Sequence, residues 1–184
     1  MFKKEKMTTK QLVFSAMAIA LATVVSVFVK LPSLPNGGSV TLFSMLLVVL
    51  VGHWYGPKTG IMAAVGYGVL QLITGPYILH PIQVLLDYPL AFGALGISGF
   101  FSKQKNGLIK GYIAGVIARF FFASLSGVIF YTVYVESLGE NLMAIWASLV
   151  YNMTYIVPEA VATLFIICIP SVKVALGKLK EMAV

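Results

Sequence analysis

The stretch "YILHPIQVLLDYPLAFG", residues 77–93, sets one carboxylate, Asp87, in a long apolar run with no basic residue near it in sequence. Two chemistries suit a carboxylate in such surroundings. It is a protonated group bonded to a neighbouring hydroxyl or carbonyl, or it is the counter-charge for a cationic or amino-bearing ligand. Two more charges interrupt apolar segments, Arg119 and Glu159. At about 1.5 Å of rise per residue both stand roughly ten residues from the same end of consecutive helices, a match in depth that predicts a structural ion pair. Around Asp87 the sequence places Tyr77 and His80 at the mouth of the bundle, Tyr88 next along the chain, and Tyr131 at the end of the fifth apolar segment. Asn152, within "ASLVYNMTY", is an amide that lipid would not welcome, so it is expected to point inward. Rings that stack, an amide that directs hydrogen bonds and one carboxylate together suit a flat, nitrogen-rich, positively charged molecule. The plain alternative for such aromatics is a belt at the membrane–water boundary, which is the reading adopted for Trp54 and Tyr134.

The elements that must hold these groups follow from composition. The chain has 184 residues, 59% hydrophobic and 10% charged, with a mean hydropathy of +0.94. Soluble domains average about 25% charged residues, so these values indicate an all-α membrane protein forming one integral-membrane domain over residues 1–184. Six apolar stretches approach the roughly 20 residues that a spanning helix needs: 11–30, 40–56, 58–75, 81–101, 109–133 and 142–171. They are separated by "KLPSLPNGGS", "YGPKTG", "TGPYILHP", "FSKQKNG" and "VESLGEN", all rich in turn formers. The opening "MFKKEKMTTK" runs into an apolar segment without a convincing cleavage motif and is read as leading into a retained first helix.

Lysines set the expected orientation. With the N-terminus cytoplasmic, Lys3, Lys4, Lys6, Lys10, Lys58, Lys103, Lys105, Lys110, Lys173, Lys178 and Lys180 fall inside, and Lys30 alone falls outside. Both termini are therefore expected in the cytoplasm. The net charge of +7 marks the inner membrane surface rather than a nucleic-acid partner, because the lysines do not interleave with aromatics on one face. A single cysteine, Cys168, excludes an intrachain disulfide or a cysteine metal cluster. The two histidines, His53 and His80, belong to opposite ends of the bundle and cannot share a metal or catalytic site. No P-loop is present, so the chain does not drive transport with its own nucleotide site. These observations argue against an enzyme and call for no cofactor or metal. A small ion-coupled carrier using Asp87 for its ion stays open on the residues alone.

One more pattern lies in the first segment. In "SAMAIALATVV" Ala16 and Ala20 are four apart, as are Ala18 and Ala22. Small residues at that spacing allow close helix packing, either inside the bundle or against a partner.

Taken in order, "PNGGSVTL", "HPIQVLLDYPLAFGALGISG" and "YNMTYIVPE" resemble the thiamine-specific S components of energy-coupling factor (ECF) transporters. The resemblance runs over nearly the whole chain, and "HP-x-Q-x-LLDY" is its most specific part. It implies a six-helix S-component fold that binds thiamine, or a related small cationic vitamin, near the outer face. It also implies docking on a transmembrane coupling protein and two cytoplasmic ATPase subunits, which power the import. By the resemblance Ala16 and Ala20 match the A-x-x-x-A docking motif, Asp87 the acidic ligand residue, Tyr88 the aromatic beside it, Tyr77 the tyrosine of the preceding loop and Asn152 the amide of the sixth helix. The sequence departs from the family at Ala123, where a histidine is expected, at Ala147, where a tyrosine is expected, and at Tyr131, where a tryptophan is often found. Two contacts trimmed to alanine leave more room and fewer hydrogen bonds. Thiamine is the expected ligand, with its pyrimidine moiety or another vitamin as the alternative.

Overall fold

The computed structural model describes residues 7–31, 34, 38–131 and 141–184, apart from the side chains of Tyr131 and Asn141. Among the described residues the architecture is helical, and strand pairing is limited to one isolated bridge between Lys30 and Thr41. Seven helices follow one another: α1 (Thr9–Phe28), α2 (Ser44–Tyr55), α3 (Pro57–Thr74), α4 (Pro81–Phe101), α5 (Gly107–Tyr131), α6 (Asn141–Cys168) and α7 (Pro170–Ala183). Four of them, α1, α4, α5 and α6, are long and apolar enough to cross a membrane.

The sequence reading expected six helices. The seventh arises because the sixth apolar stretch does not run to residue 171. Ile169 adopts extended backbone (φ −65°, ψ 127°) before Pro170, which opens α7 at its first position. A residue preceding proline is pushed out of the helical region, and proline is preorganised for a first turn, so a new helix starts here at a new angle.

Local chemistry sets the other boundaries. Thr8 and Gln11 form a reciprocal capping box at the start of α1, Gln11 N donating to Thr8 Oγ1 at 3.2 Å and Thr8 N to Gln11 Oε1 at 3.0 Å. The α2–α3 turn needs Gly56 at φ +86°, a conformation that side chains resist, followed by Pro57 as the first residue of α3. α2 lacks a side-chain cap of its own and is entered from Phe43 in the left-handed region (φ 68°). Glu159 of α6 supplies the missing acceptor. Its Oε1 takes the Met45 N–H at 3.0 Å and the Ser44 hydroxyl at 3.0 Å, and its Oε2 takes the Thr41 hydroxyl at 2.9 Å. A carboxylate at a helix N-terminus satisfies a free amide and meets the positive end of the helix dipole.

α1 turns small residues inward. Ala18 and Ala22 are buried, with Ser15 and Ser26 on the same stripe, while Ala16 and Ala20 face outward. The core beneath them is built from Met45, Leu50, Tyr67, Leu95 and Tyr112. Trp54, expected at the membrane boundary, belongs to that core instead. It is 9% exposed and meets Phe14 edge-on with ring centroids 6.3 Å apart. A short α2 packed among neighbours leaves no lipid-facing position for the ring. Tyr134 lies outside the described residues.

α4 is not uniform. It opens as α-helix, widens to a π-turn over Leu86–Leu90, and tightens to a 3-10 stretch over Ala94–Phe101. Pro89 sits within the π-turn and cannot donate to the helical ladder, a known cause of such widening. Gly68 of α3 lies so close to the Tyr88 carbonyl that a Cβ could not be accommodated there. This tight crossing holds the π-turn, and Asp87 within it, against α3.

Candidate functional site

The π-turn carries Asp87 on the wall of a cavity of about 200 Å3 between α3, α4, α5 and α6. Gln83, one turn earlier, donates from Nε2 to Asp87 Oδ2 at 2.5 Å and to the Tyr77 carbonyl at 3.1 Å. Its own Oε1 accepts from Leu79 N at 3.1 Å. Gln83 thus joins the loop before α4 to the carboxylate. Ser126 of α5 lines the same cavity near Asp87. No ion pair to Asp87 forms among the described residues.

Tyr88, the next residue, faces the same cavity but works on the loop. Its hydroxyl accepts from Tyr77 N at 2.8 Å and donates to the Gly75 carbonyl at 3.1 Å. Tyr77 lines the cavity in turn. The opposite wall comes from one face of α6, where Ser148, Tyr151, Asn152 and Tyr155 recur at helical spacing. Asn152 Nδ2 donates to the Ser148 carbonyl at 2.9 Å, and Asn152 Oδ1 accepts from the Tyr155 hydroxyl. Ser148 Oγ reaches across to the Ser124 carbonyl at 2.8 Å, tying α6 to α5. Tyr151 Oη accepts from Gly38 N at 2.8 Å, which fastens the chain before α2 beside the cavity.

The structure brings Asp87, Tyr88, Tyr77 and Asn152 together around one space. His80 stays out of it. It is exposed, its Nδ1 accepts from Ile82 N at 3.2 Å, and its ring stacks on Phe130 with centroids 5.5 Å apart. An imidazole spent on capping α4 is poorly placed to reach a ligand. Tyr131 ends α5, and its side chain lies outside the described residues. Ala123 lines the cavity, whereas Ala147 does not.

Arg119 and Glu159, expected as an ion pair, do not meet. Glu159 is occupied by the three donors at the entry to α2 described above. The Arg119 guanidinium lies over the Phe92 ring, 4.3 Å from its centroid, and its Nη1 has no hydrogen-bond partner. Equal depth on neighbouring helices was the basis for the pair. Helix rotation decides contact, however, and it turns Glu159 toward α2 and Arg119 toward the cavity wall. Gln83, Arg119, Tyr151 and Tyr155 are cavity residues that the sequence reading did not assign. The signal for the two tyrosines was present, since Tyr151 immediately precedes Asn152 and Tyr155 lies three residues after it, four from Tyr151.

Chemically the cavity offers the Asp87 carboxylate, the Arg119 guanidinium, several aromatic faces, amides and hydroxyls, within partly apolar walls. Comparison with known proteins gives one consistent result. The family model described as thiamine transporter protein (Thia_YuaJ) matches residues 12–178. The thiamine transporter ThiT of Bacillus subtilis (strain 168) is 32% identical over 168 residues, covering 85% of each chain. ThiT of Lacticaseibacillus paracasei is 33% identical over 104 residues, covering 47% of this chain and 50% of that one. A solved structure of ThiT from Listeria monocytogenes shares the fold, with a TM-score of 0.66 at 23% identity, covering 94% of this chain and 96% of that one.

Proposed function

This chain belongs to the thiamine transporter protein family, and from that premise we propose that it is the thiamine-binding S component of an ATP-driven vitamin importer. The family is one of membrane transporters rather than enzymes, and the chain is a multi-pass membrane protein. In this reading six helices, α1 to α6, span the membrane with both termini in the cytoplasm. The grouping of Lys58, Lys103, Lys110 and Lys173 at or beside the ends of α2, α4 and α6 supports that orientation.

The observation that carries the ligand assignment is Asp87. It faces a preformed cavity with an amide from Gln83 and forms no ion pair among the described residues, although the Arg119 guanidinium lines the same cavity. Thiamine brings a positively charged ring and an aminopyrimidine, each able to complement a carboxylate. Asp87 supplies the charge, Tyr77 and Tyr88 supply aromatic walls, and Asn152 directs hydrogen bonds from α6. Removing water from this space strengthens the carboxylate–ligand contact, and desolvation offsets part of the gain. Ala123 on the wall leaves room where the family places an imidazole, so this chain holds thiamine with fewer directed contacts there.

Delivery requires partners. Ala16 and Ala20 lie on the outward face of α1, whereas Ala18 and Ala22 are consumed by internal packing. This division supports the first pair as the docking stripe for a transmembrane coupling protein, which two cytoplasmic ATPases would drive. The test pairs binding with uptake. Purified protein titrated with thiamine, its phosphates and its pyrimidine moiety should bind thiamine most tightly. Ala16→Trp/Ala20→Trp should keep that binding and lose ATP-dependent uptake in cells carrying the coupling and ATPase subunits. Loss of binding in this variant would make the stripe an internal packing face. Preference for a ligand without the thiazolium ring would overturn thiamine.

A further inference from the structure

At the opposite end of the bundle from the ligand cavity lies a second hollow, of about 320 Å3, for which the transport reading has no use. Its polar lining is His53 from the end of α2, Ser102, Gln104 and Asn106 from the α4–α5 turn, and Lys173 and Lys180 from α7. Among the described residues no carboxylate lines it.

The hydrogen bonding of this group is one-sided. Lys180 Nζ lies 3.3 Å from His53 Nε2. An ammonium group has donors only, so Nε2 accepts and the neutral ring carries its proton on Nδ1. That N–H is buried with no acceptor among the described residues, a condition that buried donors rarely keep. The ring also lies beside the start of α5: a Cβ placed on Gly107 would stand 3.7 Å from His53 Cε1. Leu108 and Ile109, which follow Gly107, line the hollow too. Their amides fall in the first turn of α5, where no earlier helical carbonyl can receive them and the helix dipole is positive. Lys110 adds charge at the rim, donating to Gln104 Oε1 at 3.4 Å.

Two ammonium groups, an imidazole donor and a helix start line this hollow, and among the described residues no carboxylate joins them. We propose that this hollow binds the phosphate group of an anionic ligand, supplied either by an acidic phospholipid headgroup or by a free phosphate. A phosphate has several acceptor oxygens and suits a donor-rich, positively charged site at a helix N-terminus. Its occupant would tie α7 to the α4–α5 turn, since residues of both line the hollow. The site does not depend on which ligand fills the cavity around Asp87.

The experiment uses the full chain in detergent, followed by native mass spectrometry during titration with phosphatidylglycerol or phosphatidylcholine, with and without inorganic phosphate. Phosphatidylglycerol should be retained in preference to phosphatidylcholine. Lys173→Gln/Lys180→Gln should weaken that retention about tenfold or more, given the strength of charge-assisted hydrogen bonds. Lys173→Arg/Lys180→Arg should largely restore it. Lys173→Gln alone, at an exposed position, should give an intermediate loss without disturbing packing. Retention that survives millimolar inorganic phosphate assigns the site to lipid, and retention displaced by it assigns the site to free phosphate; both support the proposal. Equal retention of phosphatidylglycerol by the wild type and either lysine-to-glutamine variant, each still binding thiamine, overturns it. Equal retention of the two lipids by the wild type, with no phosphate adduct appearing in the phosphate titration, does the same.

Discussion

Glu159 on α6 and Asp87 on α4 are both carboxylates inside the helical bundle, and the chain surrounds them differently. Glu159 is 2% exposed and receives a backbone amide and two hydroxyls, all from the entry to α2. Its charge sits against the start of a helix that has no cap of its own. Asp87 receives one amide from Gln83, lies near Ser126, and opens onto a cavity. The first carboxylate is saturated by the protein and therefore belongs to the fold. The second is left short of donors beside an open space and therefore suits a ligand. Counting the donors on a buried charge separates these roles better than the bare presence of the charge, which is the same in both.

The contrast is most exposed to failure at Glu159. Replacing it by alanine strands the Met45 amide and removes the anchor between α2 and α6, with an expected loss of about 3 kcal/mol of stability. Denaturant or thermal unfolding in detergent reads this out, and a change below about 1 kcal/mol would mean that α2 does not depend on the cross-helix cap.

At Asp87 the expected effect moves from stability to binding. Asp87→Asn keeps the shape and removes the charge, so thiamine affinity should fall by about ten- to a hundred-fold, the equivalent of roughly 1.5–3 kcal/mol. The unfolding midpoint should stay near that of the wild type, because an amide is easier to bury than an ion. Unchanged affinity in the folded variant would remove Asp87 from the site and erase the contrast with Glu159.

A smaller effect is expected at Tyr88→Phe. The lost hydroxyl frees Tyr77 N and the Gly75 carbonyl, so the loop before α4 loosens, at a cost of about 1 kcal/mol in ligand affinity. Calorimetric titration should register several-fold weaker binding, and no change at all would show that the loop holds its place without the hydroxyl.

The smallest effect concerns Arg119 and Glu159. Since no direct contact joins them, the coupling energy from a double-mutant cycle should stay below about 1 kcal/mol. A coupling of about 3 kcal/mol or more would indicate a buried ion pair in the working protein. It would also move Glu159 from the helix cap to the charge network.

Much of the site was legible in the chain because polar residues are rare in it. When 10% of residues are charged, a lone Asp in "VLLDYPL" or an amide in "LVYNMTY" stands out, and hydrocarbon gives each a reason to face inward. Apolar run lengths were enough for an all-helical membrane protein. The alanine spacing in α1 marked a close-packing helix but not which pair faces out; burial of Ala18 and Ala22 decided that.

What the tertiary structure alone decided depends on rotation and local helix type, which residue spacing does not encode. Matching depth could not reveal that Glu159 turns to α2 while Arg119 turns over Phe92. Nor could a run of apolar residues announce the π-turn at Leu86–Leu90 that aims Asp87, or the start of a separate α7 at Pro170. His80 and Trp54 stand in surroundings other than those expected for the same reason. A side chain's role depends on which partner it meets, and the partner is brought by another helix. Composition determined the solvent and the secondary structure, because hydrocarbon accepts few alternatives to helices. Which polar groups the protein itself satisfies, and which it leaves facing the cavity, is set only where the helices cross.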